Sequence, residues 1–163
     1  MFNAADLRIR KSALADIESV FKVVNDAYKV VVGESGESFR KVGRFESIDE
    51  VMKINHTLWV AESQEEIVGV VGMKLQENVV EIGPLAVPTR YQRMGIGGKL
   101  LDFAESQGEI SRLSTASVRL ANIAMYTKRG YKVVREVPVT EYESANIFSR
   151  SDLKIIHWEK SCI

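Results

Sequence analysis

Between residues 57 and 87 lie three apolar, β-branched runs, "TLWVAE" (57–62), "EIVGVVGMKL" (66–75) and "NVVEIGPLAV" (78–87), separated only by the polar links "SQEE" and "QEN". Runs of this composition favour strands, and links this short can join only antiparallel neighbours. The chain is therefore committed to a sheet with an antiparallel meander at its centre. The third run carries Gly83 and Pro84 in its interior. A proline cannot donate to the sheet ladder, so a bulge or splay is expected there.

The flanking segments extend this plan. "LRIRKSALADIESVFKVVNDAYKVVV" opens as a short strand at Leu7 and Ile9. It then shifts to helical spacing at Ile17, Val20, Phe21, Val24, Ala27 and Tyr28, with Asp16 and Ser12 as candidate caps. Residues 33–47 are polar, carry three glycines and lack a period, which predicts a long loop. Ser47 and Glu50 have capping-box spacing ahead of a short helix containing Ile48, Val51 and Met52. After Pro88, "GIGGKLLDFAESQGEI" places Ile96, Leu100, Leu101, Phe103 and Ala104 along a helix that Gly108 can end. "RLSTASVRL", "YKVVREVPV" and "LKIIHWEK" read as strands and "ANIAMYTKRG" as a short helix. The expected fold is α/β (α+β): a mixed, mostly antiparallel central sheet of six to seven strands with helices on both faces. No repeat or linker interrupts it, so residues 1–163 are expected to form a single domain.

With 22 basic and 22 acidic residues the formal net charge is zero, which argues against a nucleic-acid partner held by its phosphates. The single cysteine, Cys162, cannot form an internal disulfide, and no His/Cys/carboxylate cluster has metal-ligand spacing, so no metal is expected. The chain opens without a leader-like segment and has no apolar run of the ~20 residues a bilayer span needs. These features point to a soluble, cytoplasmic protein without a membrane partner. The oligomeric state is open, a homodimer included.

The stretch "YQRMGIGGKL" (91–100) joins the end of the meander to a helix. Such a junction gathers unpaired N–H groups at the positive end of a helix dipole, where an anion docks. Gly95, Gly97 and Gly98 permit close approach and unusual φ, while Ile96 turns back to the core. A Walker A loop does not fit: Gly98-Lys99 is followed by Leu100, and Arg93 stands where the first glycine belongs. A dinucleotide fingerprint does not fit either. Its third glycine would be Leu100, and it belongs to a parallel βαβ unit rather than to an antiparallel meander. Taken alone, the glycines could also be turn residues.

In context, "GPLAVP", Gln92-Arg93-Met94-Gly95-Ile96-Gly97 and the helix that follows carry the Gln/Arg-x-x-Gly-x-Gly/Ala signature. With "ANIAMYTKRGYKVV" downstream and the same element order, nearly the whole chain resembles the GNAT superfamily of acyl-CoA-dependent N-acetyltransferases. The resemblance implies acetyl-CoA as co-substrate, held at its pyrophosphate by Gln92, Arg93, Met94, Gly95, Ile96, Gly97, Gly98 and Lys99. It implies a splayed strand pair at that site, where the backbone of Leu85, Ala86 and Val87 binds the pantetheine arm and polarises the acetyl carbonyl. Asn122 is a further coenzyme contact, although many family members place their asparagine where this chain has Arg119.

The same resemblance makes Tyr126 the general acid toward the coenzyme A sulfur; by periodicity alone it is equally a core aromatic. Glu81, just before the expected splay and among apolar neighbours, is the first candidate for general base. His157 is the second, and a water chain the third. For the acceptor, an amine, the family uses the loop between the first two helices and a late loop, here bringing in Arg44, Phe45 and Tyr142. The expected activity is acetyl transfer to a small amine or amino-acid-like acceptor. The alternatives are a protein N-terminal or lysine acetyltransferase, or a silent acyl-CoA-binding module.

Overall fold

The computed structural model of the protein describes residues 2–34, 44–140 and 152–163. In chain order the elements are β1 (Arg8–Lys11), α1 (Ile17–Glu34), α2 (Ile48–Ile54), β2 (Leu58–Ser63), β3 (Glu66–Gln76), β4 (Val79–Ala86), α3 (Ile96–Glu105), β5 (Ile110–Ala116), α4 (Leu120–Lys128), β6 (Lys132–Pro138) and β7 (Lys154–Ser161). The seven strands form one sheet in the order β1-β2-β3-β4-β5-β7-β6. All neighbours are antiparallel except β4 and β5, which run parallel. The expected fold class and element order are those observed. No helix among the described residues is long and apolar enough to cross a membrane.

Alternation along the strands sends one set of side chains to each face. Leu58 and Val60 of β2 and Val70 of β3 pack with Ile17, Val20, Val24 and Ala27 of α1 and Val51 of α2. Their sequence neighbours Ala61 and Val71 pack instead with Ile96, Leu100 and Ala104 of α3. Leu101 of α3 and Tyr126 of α4 continue that second layer over Leu113, Ile156 and Trp158. Two helices thus cover each face, and α3 is held between β4 and β5 by its buried stripe.

Three local expectations change. Asp16 does not cap α1: its carboxylate accepts the Ala13 N–H (2.7 Å) and pairs with Arg10, and the Ser12 hydroxyl donates to Asn55 instead. Gly108 is glycine for space, since a Cβ there would lie 2.8 Å from the Asn78 carbonyl oxygen. The segment β4-α3-β5 is a parallel βαβ unit, so topology does not count against a dinucleotide loop. The absence of the third glycine does, because Leu100 is fully buried.

At the glycine-proline step β4 bulges as expected. Val71 faces Leu85 and Met73 faces Ile82, so one residue of β3 stands opposite two of β4. That one residue is Gly72, where a Cβ would lie 2.2 Å from the Gly83 carbonyl oxygen. Gly83 itself has φ +153°, a conformation open in practice only to glycine.

Candidate active site

β4 and β5 are paired only over Val79–Glu81 and Ile110–Arg112. Beyond Glu81 the two strands separate, each keeping its other neighbour: β4 stays bonded to β3 as far as Ala86, and β5 to β7 as far as Ala116. Among the described residues, the facing edges of β4 and β5 are therefore left without strand partners. Between them opens a cleft of about 570 Å³, of a size that holds a small ligand. Its walls include Ile82 to Val87 of the β4 side and Leu113 to Ala116 of the β5 side, with residues of α4 and with Ala27 and Tyr28 of α1.

At the mouth of the cleft the chain leaves β4 through Pro88 and a single 3-10 turn, Thr89–Tyr91. The loop is staked from both sides. The Thr89 N–H donates to Asp26 of α1 (3.0 Å), the Tyr91 hydroxyl donates to Glu66 of β3 (2.5 Å), and Arg90 pairs with Glu66. The Gln92 amide donates to the Val87 carbonyl (3.1 Å), which fixes the loop to the end of β4. Gly95 then caps α3 with φ +82°.

The first α3 amide with a backbone acceptor is that of Lys99, bonded to the Gly95 carbonyl (3.1 Å). The N–H groups of Ile96, Gly97 and Gly98 have none among the described residues, as the first turn of any helix requires. Ile96, buried beneath α3, pins that turn in place. The result is a row of free N–H donors at a helix N-terminus, on the rim of a cleft edged by two unpaired strands.

Leu85, Ala86, Val87, Gln92, Arg93, Gly95, Ile96, Gly97, Gly98, Asn122 and Tyr126 all line this cleft. Met94 and Lys99 do not: both are exposed outside it. Arg93 adopts φ +62°, a conformation uncommon outside glycine.

Tyr126 sits on α4 with its ring in the core, 5.6 Å from that of Tyr131 and 6.2 Å from that of Trp158. No hydrogen bond from its hydroxyl is formed among the described residues, and the residue lines the cleft. Burial, then the neighbouring Tyr28, pushes its phenol up to about 12, while Arg119 and Arg129 pull the other way. At neutral pH it is a protonated O–H donor. Tyr126 is therefore both packed in the core and part of the cleft lining.

Glu81 and His157 lie on the opposite face of the sheet. They line a second cleft of about 600 Å³ together with Arg112, Ser114, Arg135 and Glu159. The two clefts share Ile82, Leu113 and Ser114, where the strands begin to part. The surroundings of Glu81 are polar rather than apolar: it is exposed, with Lys74 on β3 and Arg112 on β5 as its cross-strand partners.

Phe45 is a buried core residue. It is buried against α1 and α2, and Asn25 clasps its backbone, accepting from the N–H groups of Arg44 and Phe45 (both 2.8 Å) and donating to the Phe45 carbonyl (2.9 Å). Arg44 is exposed, its guanidinium 5.6 Å from the Phe45 ring centre. Tyr142 lies outside the described residues.

Sequence reasoning did not assign Tyr28, Ser114 or Thr115 to the site, and noted Arg119 without giving it a role. Tyr28 was readable only as the last member of an apolar stripe. Ser114 and Thr115 look like ordinary alternating strand residues until the splay removes their neighbour. Among the described residues no group of His, Cys, Asp and Glu side chains is placed to hold a metal ion.

Comparison with known proteins agrees with this geometry. Residues 55–133, just under half of the chain, match the family described as the acetyltransferase (GNAT) domain. Human N-acetyltransferase 8 is 36% identical over 86 residues, which cover 45% of this chain and 37% of that protein, so the chain spans little more than a third of its relative's length. Among solved structures, Ard1 from Thermoplasma volcanium superposes with a TM-score of 0.71 at 20% identity, covering 97% of this chain and 99% of that one. An aminoglycoside 6'-N-acetyltransferase complexed with coenzyme A gives a TM-score of 0.68 at 18% identity, covering 96% and 97%. Residues 55–133 are thus similar in sequence to the acetyltransferase (GNAT) domain, and nearly the whole chain shares the fold of these solved structures.

Proposed function

We propose that the chain acts as a single-domain N-acetyltransferase, moving an acetyl group from acetyl-CoA to a primary amine by direct transfer in a ternary complex. The observation that carries this reading is the splay. The unpaired edges of β4 and β5 and the first turn of α3, with the free N–H groups of Ile96, Gly97 and Gly98, line one cleft among the described residues. An elongated ligand with an anionic segment and an amide-bearing arm suits such a channel: the helix N-terminus meets the phosphates, and the freed edge of β4 at Leu85, Ala86 and Val87 meets the arm.

Acetyl-CoA, as co-substrate, brings the activated acyl group; this chain's residues orient it and manage protons. Tyr126, kept protonated by burial, gives its proton to the departing sulfur. The acceptor enters from the second cleft, which joins the first at Ile82, Leu113 and Ser114, so the two substrates meet through the gap in the sheet. Glu81, the last β4 residue paired with β5, takes the proton from the amine, and Arg44 is left to meet an acidic group on the acceptor. The size of the second cleft favours a small amine or amino-acid-like acceptor.

The test is release of coenzyme A thiol from acetyl-CoA in the presence of small amines, amino acids, lysine peptides and peptide N-termini, with products read by mass spectrometry. Acetylated small amines are expected. Turnover with peptides alone would move the acceptor to a protein. Acetyl-CoA binding without turnover across the panel would make the chain a silent binding module, and no binding at all would overturn the reading.

A further inference from the structure

Glu105, on α3, is buried yet charged. It gathers Arg129 (3.0 Å), Lys160 (3.1 Å) and the Tyr131 hydroxyl (2.9 Å), and Tyr131 in turn bonds Ser111. Arg129 caps the C-terminus of α4 and stands beside Gly98, which lines the cleft. Its Nη2 donates to both Asp102 (2.7 Å) and Glu105, and its Nε also reaches Glu105 (3.4 Å). Nη1 has no hydrogen-bond partner among the described residues. It lies 3.9 Å from where a Cβ of residue 98 would stand.

Gly98, Asp102 and Glu105 are spaced i, i+4 and i+7, so they form one row on α3, and the guanidinium lies along that row. Two acids hold its lower side, and its free nitrogen reaches the first turn of the helix. A cation beside a helix N-terminus is placed against the dipole, an unfavourable position that becomes favourable once an anion occupies the same turn. Gly98 also lines the cleft, so the free nitrogen stands beside a backbone that faces the ligand space.

We propose that Arg129 is a binding residue for the anionic segment of the co-substrate, reaching the glycine cradle from the end of α4 and held in place by Asp102 and Glu105. The assignment rests on the acetyl-CoA reading above. It adds a phosphate donor from outside the loop motif and ties the cradle on α3 to the helix that carries Tyr126.

Calorimetric titrations with coenzyme A, 3'-dephospho-coenzyme A and S-acetylpantetheine test it. Losing a charge-assisted hydrogen bond typically weakens binding about tenfold or more, so Arg129→Met should raise the Kd for coenzyme A by about that factor. S-acetylpantetheine, which has no phosphate diester or 3'-phosphate, should bind as to the wild type. A loss that persists with the dephospho compound places Arg129 at the pyrophosphate; a loss that disappears places it at the 3'-phosphate.

Because Arg129→Met leaves Glu105 with less compensation, the double variant Arg129→Met, Glu105→Gln is measured in parallel and read in the same way if the single variant does not fold. Unchanged coenzyme A affinity, or equal losses for all three ligands, would overturn the proposal. Wild-type protein that binds none of them would instead strike at the acetyl-CoA reading.

Discussion

The bulge in β4 makes Gly72→Ala the most exacting test of how the cleft is built. A Cβ at residue 72 would lie 2.2 Å from the Gly83 carbonyl oxygen, 2.7 Å from its carbon and 2.9 Å from the Pro84 ring. All three distances are below the 3.0 Å that real Cβ contacts respect, and the atoms belong to backbone or a proline ring, which cannot swing aside as a flexible side chain can. The strands must therefore move apart. Overpacking of this kind typically costs about 1–3 kcal/mol. For a domain of this size that corresponds to a Tm lower by roughly 3–10 °C, measured by scanning calorimetry. The displaced segment, Gly83 to Ala86, is the wall of the cleft, so acetyl-CoA affinity should fall in the same variant. A Tm within about 1 °C of wild type, with unchanged affinity, would show that the bulge is not set by the close approach of these two glycines.

Tyr126 offers a spectroscopic prediction. Its phenol is pushed up to about 12 by burial and that of Tyr131 is raised as well, so two of the five tyrosines should ionise well above the ordinary value near 10 in an ultraviolet titration. The raised folded-state value means that Tyr126 contributes stability below about pH 10 and that this contribution is lost as pH climbs toward 12. All five ionising together near pH 10 in the folded protein would contradict the burial of this side chain. Tyr126→Phe should lower turnover while leaving acetyl-CoA affinity close to wild type, and full activity would reassign the acid to water. Asn25→Ala removes three hydrogen bonds to the Arg44–Phe45 backbone and should cost about 1–3 kcal/mol in urea unfolding; no change would mean that water replaces the amide without loss.

Much of the fold is legible because it is written locally. Short links between β-branched runs dictate the meander, and 3.6-residue spacing at Ile17–Ala27 and Ile96–Ala104 dictates the helices that pack on it. Gly83-Pro84 announces the bulge. What is not legible depends on distances between segments. The motif names Met94 and Lys99 with their neighbours but does not say which side of the loop they occupy. Phe45 looks like a loop aromatic until Asn25, twenty residues earlier, draws it into the core. The Glu105 cluster joins α3, α4, β5 and β7 through a charged residue that a helical pattern would leave on the surface. Glu81 is polar in its surroundings because cross-strand pairing, rather than sequence neighbours, sets what stands beside a side chain on a sheet.

The central claim is that the free N–H groups at the start of α3 hold the co-substrate. Gly97 faces the cleft, and a Cβ there would meet only the Val87 side chain, at 3.8 Å, so bulk added at this position enters ligand space rather than the protein's own packing. The direct measurement is calorimetric titration of acetyl-CoA into wild-type protein and Gly97→Trp, with melting temperatures recorded for both. The account predicts one binding event for the wild type and none for the variant, at closely similar melting temperatures. Equal affinity in the two proteins would contradict it.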